Sequence, residues 1–328
     1  MNFEDKYKIT TYNTENNSKN THQLQPEPLK SLIKKLTTLP EVTVKTGVPL
    51  QEYTSFQVGG PADIFLIPRT IPAFSKVLAT IHKKLPYFVL GRGSNIIVSD
   101  SGFRGAVICS EKINHLQIDT GKITAGAGIT LSRLANIALE NELSGLEFAA
   151  GIPGTLGGAL YMNAGAYGAD IKDILDSAQL LNHRGKSVSL SKSELQLDYR
   201  SSILQQKEYI AVEITLLLKK GNKSNIKALM KELNQKRRKK QPLDHPSAGS
   251  AFKRPQGNYA GKLIEEAGLK GTRVGDAMVS PKHAGFIINC GQATARDIKE
   301  LMELVRKKVY QKSGITLEPE PRFIGDFD

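Results

Sequence analysis

The segment GLEFAAGIPGTLGGALYMNAGAYGADI, residues 145–171, decides how the chain is read, because seven of the 24 residues from 145 to 168 are glycine. Taken alone, such a run fits a tight surface loop of left-handed turns. It also fits a backbone stripped of side chains so that a flat ligand can lie against it. The flanking sequence has a regular texture. Upstream, Leu131, Leu134, Ala135, Ala138 and Leu139 recur at helical spacing behind Thr130, a capping residue. Downstream, residues 174–181 and 208–218 are apolar runs of strand length.

Working outward, residues 62–67 and 87–90 read as strands on either side of a helix over 72–84 with Phe74, Val77, Leu78 and Ile81 inward. Residues 1–26 are polar and lack a hydrophobic period, which predicts a mobile extension. A short helix follows, with Leu29, Leu32, Ile33 and Leu36 at helical spacing after Pro28. Residues 225–240 form a basic helix expected to bury Ile226, Leu229, Met230 and Leu233. Residues 284–290 read as a strand. Thr294 with Asp297 makes a capping box for a helix that turns Ile298, Leu301, Met302, Val305 and Val309 inward. The class is α/β, divided into an extension over 1–40, units over 41–110 and 111–222, and a last unit over 223–328.

With 40% apolar and 23% charged residues in 328, the composition is that of a folded globular chain. The net charge of +13 is uneven, since residues 219–240 hold ten Lys or Arg against Glu232 alone. Dispersed basic patches with interleaved aromatics, the footprint of a nucleic-acid binder, are not the pattern here, and aromatics total 6%. Cys109 and Cys290 stand in apolar runs away from any Cys-x-x-Cys or histidine cluster, so neither a disulfide framework nor a metal site is expected. The first residues lack an apolar targeting core, and the longest apolar stretch, 209–218, contains Glu213. A cytoplasmic chain without membrane insertion is expected.

The other glycine motifs define what the loops are not. Gly91-x-Gly93 follows a strand, where backbone amides cradle phosphate, but Ile96 stands where a dinucleotide fingerprint needs its third glycine. Gly126-x-Gly128 fails in the same way at Leu131, and GNYAGKL at 257–263 is one residue short of a P-loop.

Six stretches, in one order, carry a resemblance: TSFQVGGPAD (54–63), LGRGSNIIVSD (90–100), GIPGTLGGALYMNAGAYG (151–168), DYRSS (198–202), PSAGSAFKRP (246–255) and LEPEPRFIG (317–325). Together they resemble the UDP-N-acetylenolpyruvoylglucosamine reductase family, in its shorter-looped subclass, from about residue 45 to 325. The resemblance implies a two-subdomain FAD-binding module of the vanillyl-alcohol-oxidase/PCMH type plus a C-terminal α/β substrate-binding domain. It implies reduction of the enolpyruvyl ether of UDP-N-acetylglucosamine-enolpyruvate by NADPH through FAD, by a monomer, in peptidoglycan precursor synthesis. A different flavin-dependent oxidoreductase on the same scaffold is the competing reading.

For cofactor binding the resemblance implies Thr54, Gly91, Gly93, Ser94 and Asn95 toward the adenosine and pyrophosphate. Ile152, Pro153, Gly154, Thr155, Gly158 and Asn163 would lie along the flavin and ribityl parts. None of the six histidines or two cysteines falls in these loops, so the FAD is expected to be non-covalent. It further implies Arg200 as the group that grips the substrate carboxylate, Ser250 as proton donor and Glu320 as the acid that supports the enolate or relays the proton. Pro321 stands where the family usually has an aliphatic residue, which bears on the aim of Glu320. Tyr199, Lys240, Arg254 and Lys262 are implied substrate contacts.

Overall fold

The computed structural model describes residues 26–327. The expected mobile extension over 1–26 falls outside the described residues, except that residue 26 opens helix α1 (Pro26–Thr37). Leu32 and Leu36 of α1 are buried in the core of the first sheet, so from residue 26 onward the expected 1–40 extension is corrected to a docked helix.

The first sheet contains β1 (Val42–Pro49), β2 (Pro61–Pro68), β3 (Tyr87–Leu90) and β5 (Phe103–Cys109), in the order β1-β2-β5-β3. β1 runs antiparallel to β2, whereas β2, β5 and β3 are parallel. Ile64, Phe65 and Leu66 of β2 are all fully buried, as a strand covered on both faces requires. Helix α2 (Ile71–Ile81) covers one face. The Thr70 hydroxyl accepts the Ala73 N–H and starts it. α2 ends at Ile81, short of the expected residue 84, because His82 leaves the helix at ψ 129 and Lys83 takes φ +55.

The second sheet holds β6 (Leu116–Asp119), β7 (Lys122–Gly126) and strands Leu175–Asn182, Ser187–Ser191 and Tyr209–Leu217, antiparallel throughout. Leu181, Ile210 and Val212 of this sheet share one core with Ile64, Leu66 and Phe74 of the first. Helices α3 (Leu131–Glu140) and α4 (Leu156–Met162) pack on the second sheet. α4 lies within the glycine-rich segment that reads as loop. Leu156, Ala159 and Leu160 are buried along one side, and that burial outweighs the weak helix propensity of Gly157 and Gly158.

The basic helix spans Lys223–Lys240 and inserts Ile226 and Met230 into the core of the second sheet. Leu233 is only partly buried, and Leu229, expected inside, is 42% exposed. Beyond it, strands Arg273–Val274, Ala277–Val279 and Ile287–Asn289 form a small antiparallel sheet. The expected strand over 284–290 shrinks to Ile287–Asn289, because the Phe286 N–H turns back to the His283 carbonyl. Helix Ala295–Ser313 begins with both halves of the Thr294/Asp297 capping box in place, and its five expected core residues are all buried. Leu301 is fully buried in this C-terminal core. Leu301→Ala is expected to lower the urea midpoint at unchanged m-value, a loss of about 2–5 kcal/mol.

Strand Arg322–Ile324 then pairs in parallel with β4 (Ile96–Val98). The chain's end is thereby tied to the first subdomain, and residue 320 is delivered beside the loop at 91–95. Among the described residues no helix is long and apolar enough to cross a membrane.

Candidate active site

The two glycine loops meet at one cavity of about 320 Å³. The loop at 91–95 leaves β3 with Gly93 at φ +59, where a Cβ would stand 2.1 Å from the Tyr53 carbonyl oxygen. A Cβ at Gly91 would stand 2.4 Å from Thr155 Oγ1, so the loops touch here because no side chain intervenes. Thr155 caps α4 by accepting the Gly158 N–H. The Leu131 N–H donates to the Gly154 carbonyl, which anchors the second loop to α3. Gly93→Ala combines a left-handed φ with a backbone clash, so roughly 2 kcal/mol or more of stability is expected to be lost. Equilibrium urea unfolding, and a fall in the flavin-to-protein absorbance ratio of the purified protein, would show it.

Gly91, Gly93, Ser94, Asn95, Ile152, Pro153, Gly154, Thr155 and Gly158 all line the cavity. Thr54 and Asn163 do not. The Thr54 hydroxyl is buried and bonded to the Val58 carbonyl, which holds the turn beneath Gly93. Asn163 ends α4 at φ +40, where its side chain donates to Asp170 and to the Asp198 carbonyl and accepts the Lys172 N–H. Both are structural supports of the loops.

Arg200, Ser250 and Glu320 come together in the same cavity. Arg200 Nε donates to Glu320 Oε1 at 2.6 Å, with only 21% and 13% of the two side chains exposed. The arginine backbone has φ +52, a conformation rare outside glycine, held by a turn in which Asp198 and Ser201 exchange backbone hydrogen bonds. Gln205 Nε2 also donates to the Arg200 carbonyl at 3.0 Å. Ser250 bridges Phe286 on one side. On the other, the Glu320 N–H donates to the Ala251 carbonyl and the Lys253 N–H to the Glu318 carbonyl, which sets the serine alongside the glutamate. Pro321 is tolerated because the backbone bonds on each side come from the Glu320 and Arg322 N–H groups. Burial pushes the Glu320 carboxyl above its ordinary range, against the opposing pull of Arg200 and Lys253.

The implied substrate contacts Tyr199, Lys240, Arg254 and Lys262 do not line this cavity. Tyr199 is half exposed; its hydroxyl accepts the Arg254 N–H, and the Arg254 guanidinium stacks 4.0 Å above the Tyr259 ring. Lys240 is exposed at the end of its helix, and Lys262 pairs with Glu266 at the surface. Arg237 and Gln241 line the cavity instead, together with Tyr161, Phe286 and Arg322. The signal for the first two lay in the helix stripe, since 226, 230, 233, 237 and 241 continue one face at intervals of three and four. Burial lowers the pKa of the Arg237 guanidinium. Among the described residues, Arg92, Arg200, Arg237 and Arg322 line the cavity against Glu320 alone, which makes it a site for an anionic ligand.

The model of the UDP-N-acetylenolpyruvoylglucosamine reductase C-terminal domain matches residues 241–324, and that of an FAD binding domain matches residues 62–191. The UDP-N-acetylenolpyruvoylglucosamine reductase of Lachnoclostridium phytofermentans is 50% identical over 289 residues, 86% of this chain and 93% of its own. That of Caldanaerobacter subterraneus is 48% identical over 279 residues, 85% of this chain and 92% of its own. The chain belongs to the UDP-N-acetylenolpyruvoylglucosamine reductase family. The crystal structure of a reductase of that name from Thermus caldophilus superposes with a TM-score of 0.75 at 37% identity, covering 87% of this chain and 99% of that one. As a member of the family the chain is an FAD-dependent oxidoreductase of peptidoglycan precursor synthesis, with the expected FAD-binding module and C-terminal α/β domain.

The residues present fit FAD. The amides of Arg92, Gly93 and Ser94 donate to no protein acceptor among the described residues, and they face a cavity rich in arginine. A Cβ at Gly154 would lie 3.4 Å from Ser94 Oγ, in the gap between the two loops, so glycine keeps that gap open. Among the described residues, no histidine or cysteine lines the cavity.

Proposed function

We propose that this chain reduces the enolpyruvyl ether of UDP-N-acetylglucosamine-enolpyruvate to UDP-N-acetylmuramate, with NADPH as reductant and FAD held non-covalently. The observation that carries this reading is the convergence of Arg200, Ser250 and Glu320 on the cavity that the two glycine loops also line. Bound flavin supplies two-electron chemistry that no side chain can perform. Arg200, with Nε committed to Glu320 and Nη2 donating to the Gly165 carbonyl at 3.4 Å, presents its remaining Nη hydrogens to the substrate carboxylate and stabilises the charge that grows there. Ser250 Oγ gives its proton to the carbon next to that carboxylate, and the net reaction consumes NADPH and one proton.

Glu320 keeps Arg200 aimed through Oε1 and, when protonated, supports the enolate as an acid; its raised pKa leaves a fraction of that neutral form above the usual carboxylate range. Its neutral form is lost as pH rises through that raised value. The substrate-dependent half-reaction is therefore expected to decline on the alkaline side of that value in wild type, and Glu320→Gln should remove this limb of the pH profile. We assign phosphate groups of substrate and reductant to Arg237, and we keep Tyr199, Lys240, Arg254 and Lys262, which lie outside the cavity lining, as further substrate contacts. We assign the functional units to 41–110, 111–222 and 223–328, and place the enzyme, as a monomer, in the cytoplasm, where NADPH and UDP-sugars are available.

The test is to follow NADPH oxidation by the yellow protein with and without the enolpyruvyl sugar nucleotide. Sugar-dependent oxidation with stoichiometric UDP-N-acetylmuramate is expected; oxidation indifferent to the sugar would reject the substrate and keep the flavoprotein.

A further inference from the structure

Buried polar atoms in folded proteins nearly always have a partner, because an unpaired one keeps the whole cost of losing water. Gln241 Oε1 is buried, accepts no hydrogen bond among the described residues, and belongs to a residue that lines the active-site cavity. The backbone that carries it is fixed on both sides. Its N–H donates to the Arg237 carbonyl at 2.8 Å, and its carbonyl accepts the Leu243 N–H at 3.0 Å. It terminates the helix Lys223–Lys240 one turn beyond Arg237, whose side chain packs against Gly151 at the head of the second glycine loop. Gln241 Nε2 likewise makes no hydrogen bond to a described residue.

We propose that Gln241 recognises the cyclic imide edge of a bound ring, Oε1 accepting the ring N–H while Nε2 donates to a neighbouring ring carbonyl. Phosphates and carboxylates bring no donor and cannot satisfy Oε1; the cavity arginines serve them. A primary carboxamide sets one acceptor beside one donor, and an imide sets one donor beside an acceptor in the same plane, so the two close a pair of parallel hydrogen bonds. A wall of glycine backbone admits such a flat ring. Two ligands of this site carry the imide: the isoalloxazine of FAD, and the uracil of the UDP-sugar. The second of these rests on the proposed function.

The experiment measures equilibrium binding without turnover. FAD is titrated into flavin-free wild type, Gln241→Leu and Gln241→Met, and UDP is titrated into the FAD-loaded proteins. One of the two dissociation constants is expected to rise about tenfold in both variants while the other stays within about twofold, and the one that moves names the ring. The N3-methyl form of that ring should lose a similar factor on wild type and nothing further on the Met variant, which has nearly the same shape should the Leu variant fold poorly. The proposal is overturned if neither constant moves, or if both rise together, the mark of a deformed cavity. Failure of the enolpyruvyl sugar to turn over would reject the proposed substrate and leave this result standing.

Discussion

Arg200→Lys should lower kcat for the substrate-dependent half-reaction by about 10²–10³-fold, while FAD reduction by NADPH continues within a few fold of wild type. Lysine keeps the positive charge and loses the fork. In the structure Nε is engaged by Glu320 at 2.6 Å and Nη2 donates to the Gly165 carbonyl at 3.4 Å, so the fork is held on two sides and its remaining Nη hydrogens are left to meet a carboxylate. An ammonium cannot serve both partners in fixed directions. It would also sit on a backbone held at φ +52, which confines where a flexible side chain can reach. Rapid-mixing measurement of flavin reduction and reoxidation separates the two half-reactions. Equal rates of reoxidation in the variant and wild type would remove Arg200 from the chemistry.

Ser250→Ala should have a comparable or larger effect, about 10²–10⁴-fold on reoxidation by substrate, the range spanned by a positioned proton donor. The expectation rests on placement. Ser250 is held between the bridge to Phe286 and the strand-like run carrying Glu320, so its hydroxyl is delivered to the cavity by backbone hydrogen bonds on two sides. The alanine variant should fold, since no hydrogen bond from the Ser250 side chain supports the surrounding structure among the described residues. Solvent deuterium exchange gives a second readout. In the variant, protonation of the product carbon should become rate-limiting and its isotope effect should grow. An unchanged rate and isotope effect would show that the proton arrives by another route.

How much of this was legible before folding differs from residue to residue. The Thr130 and Thr294 caps, the capping box with Asp297 and the inward stripes of α2 and of helix Ala295–Ser313 are local, and each was read correctly. The glycine-rich segment was legible as a ligand surface and misread as loop throughout, because α4 owes its existence to Leu156 and Leu160 being buried by a sheet that lies elsewhere in the chain. Thr54 and Asn163 share motifs with true lining residues, and a motif does not separate a residue that lines the cavity from one that props up the loop that does. Arg237 and Gln241 were legible only as the continuation of the stripe that starts at Ile226, because their polar character matches that of their neighbours.

By itself the sequence determined the alternation of helices and strands, the glycine loops and the family to which their order belongs, since these depend on neighbours a few positions apart. Tertiary structure alone decided that Arg200 meets Glu320 across 120 positions, that one arginine of a basic helix turns inward, and that the Glu320 carboxyl is held away from water. Contact and desolvation depend on which distant segments are brought together, and the parallel pairing of Arg322–Ile324 with β4 is what brings these together.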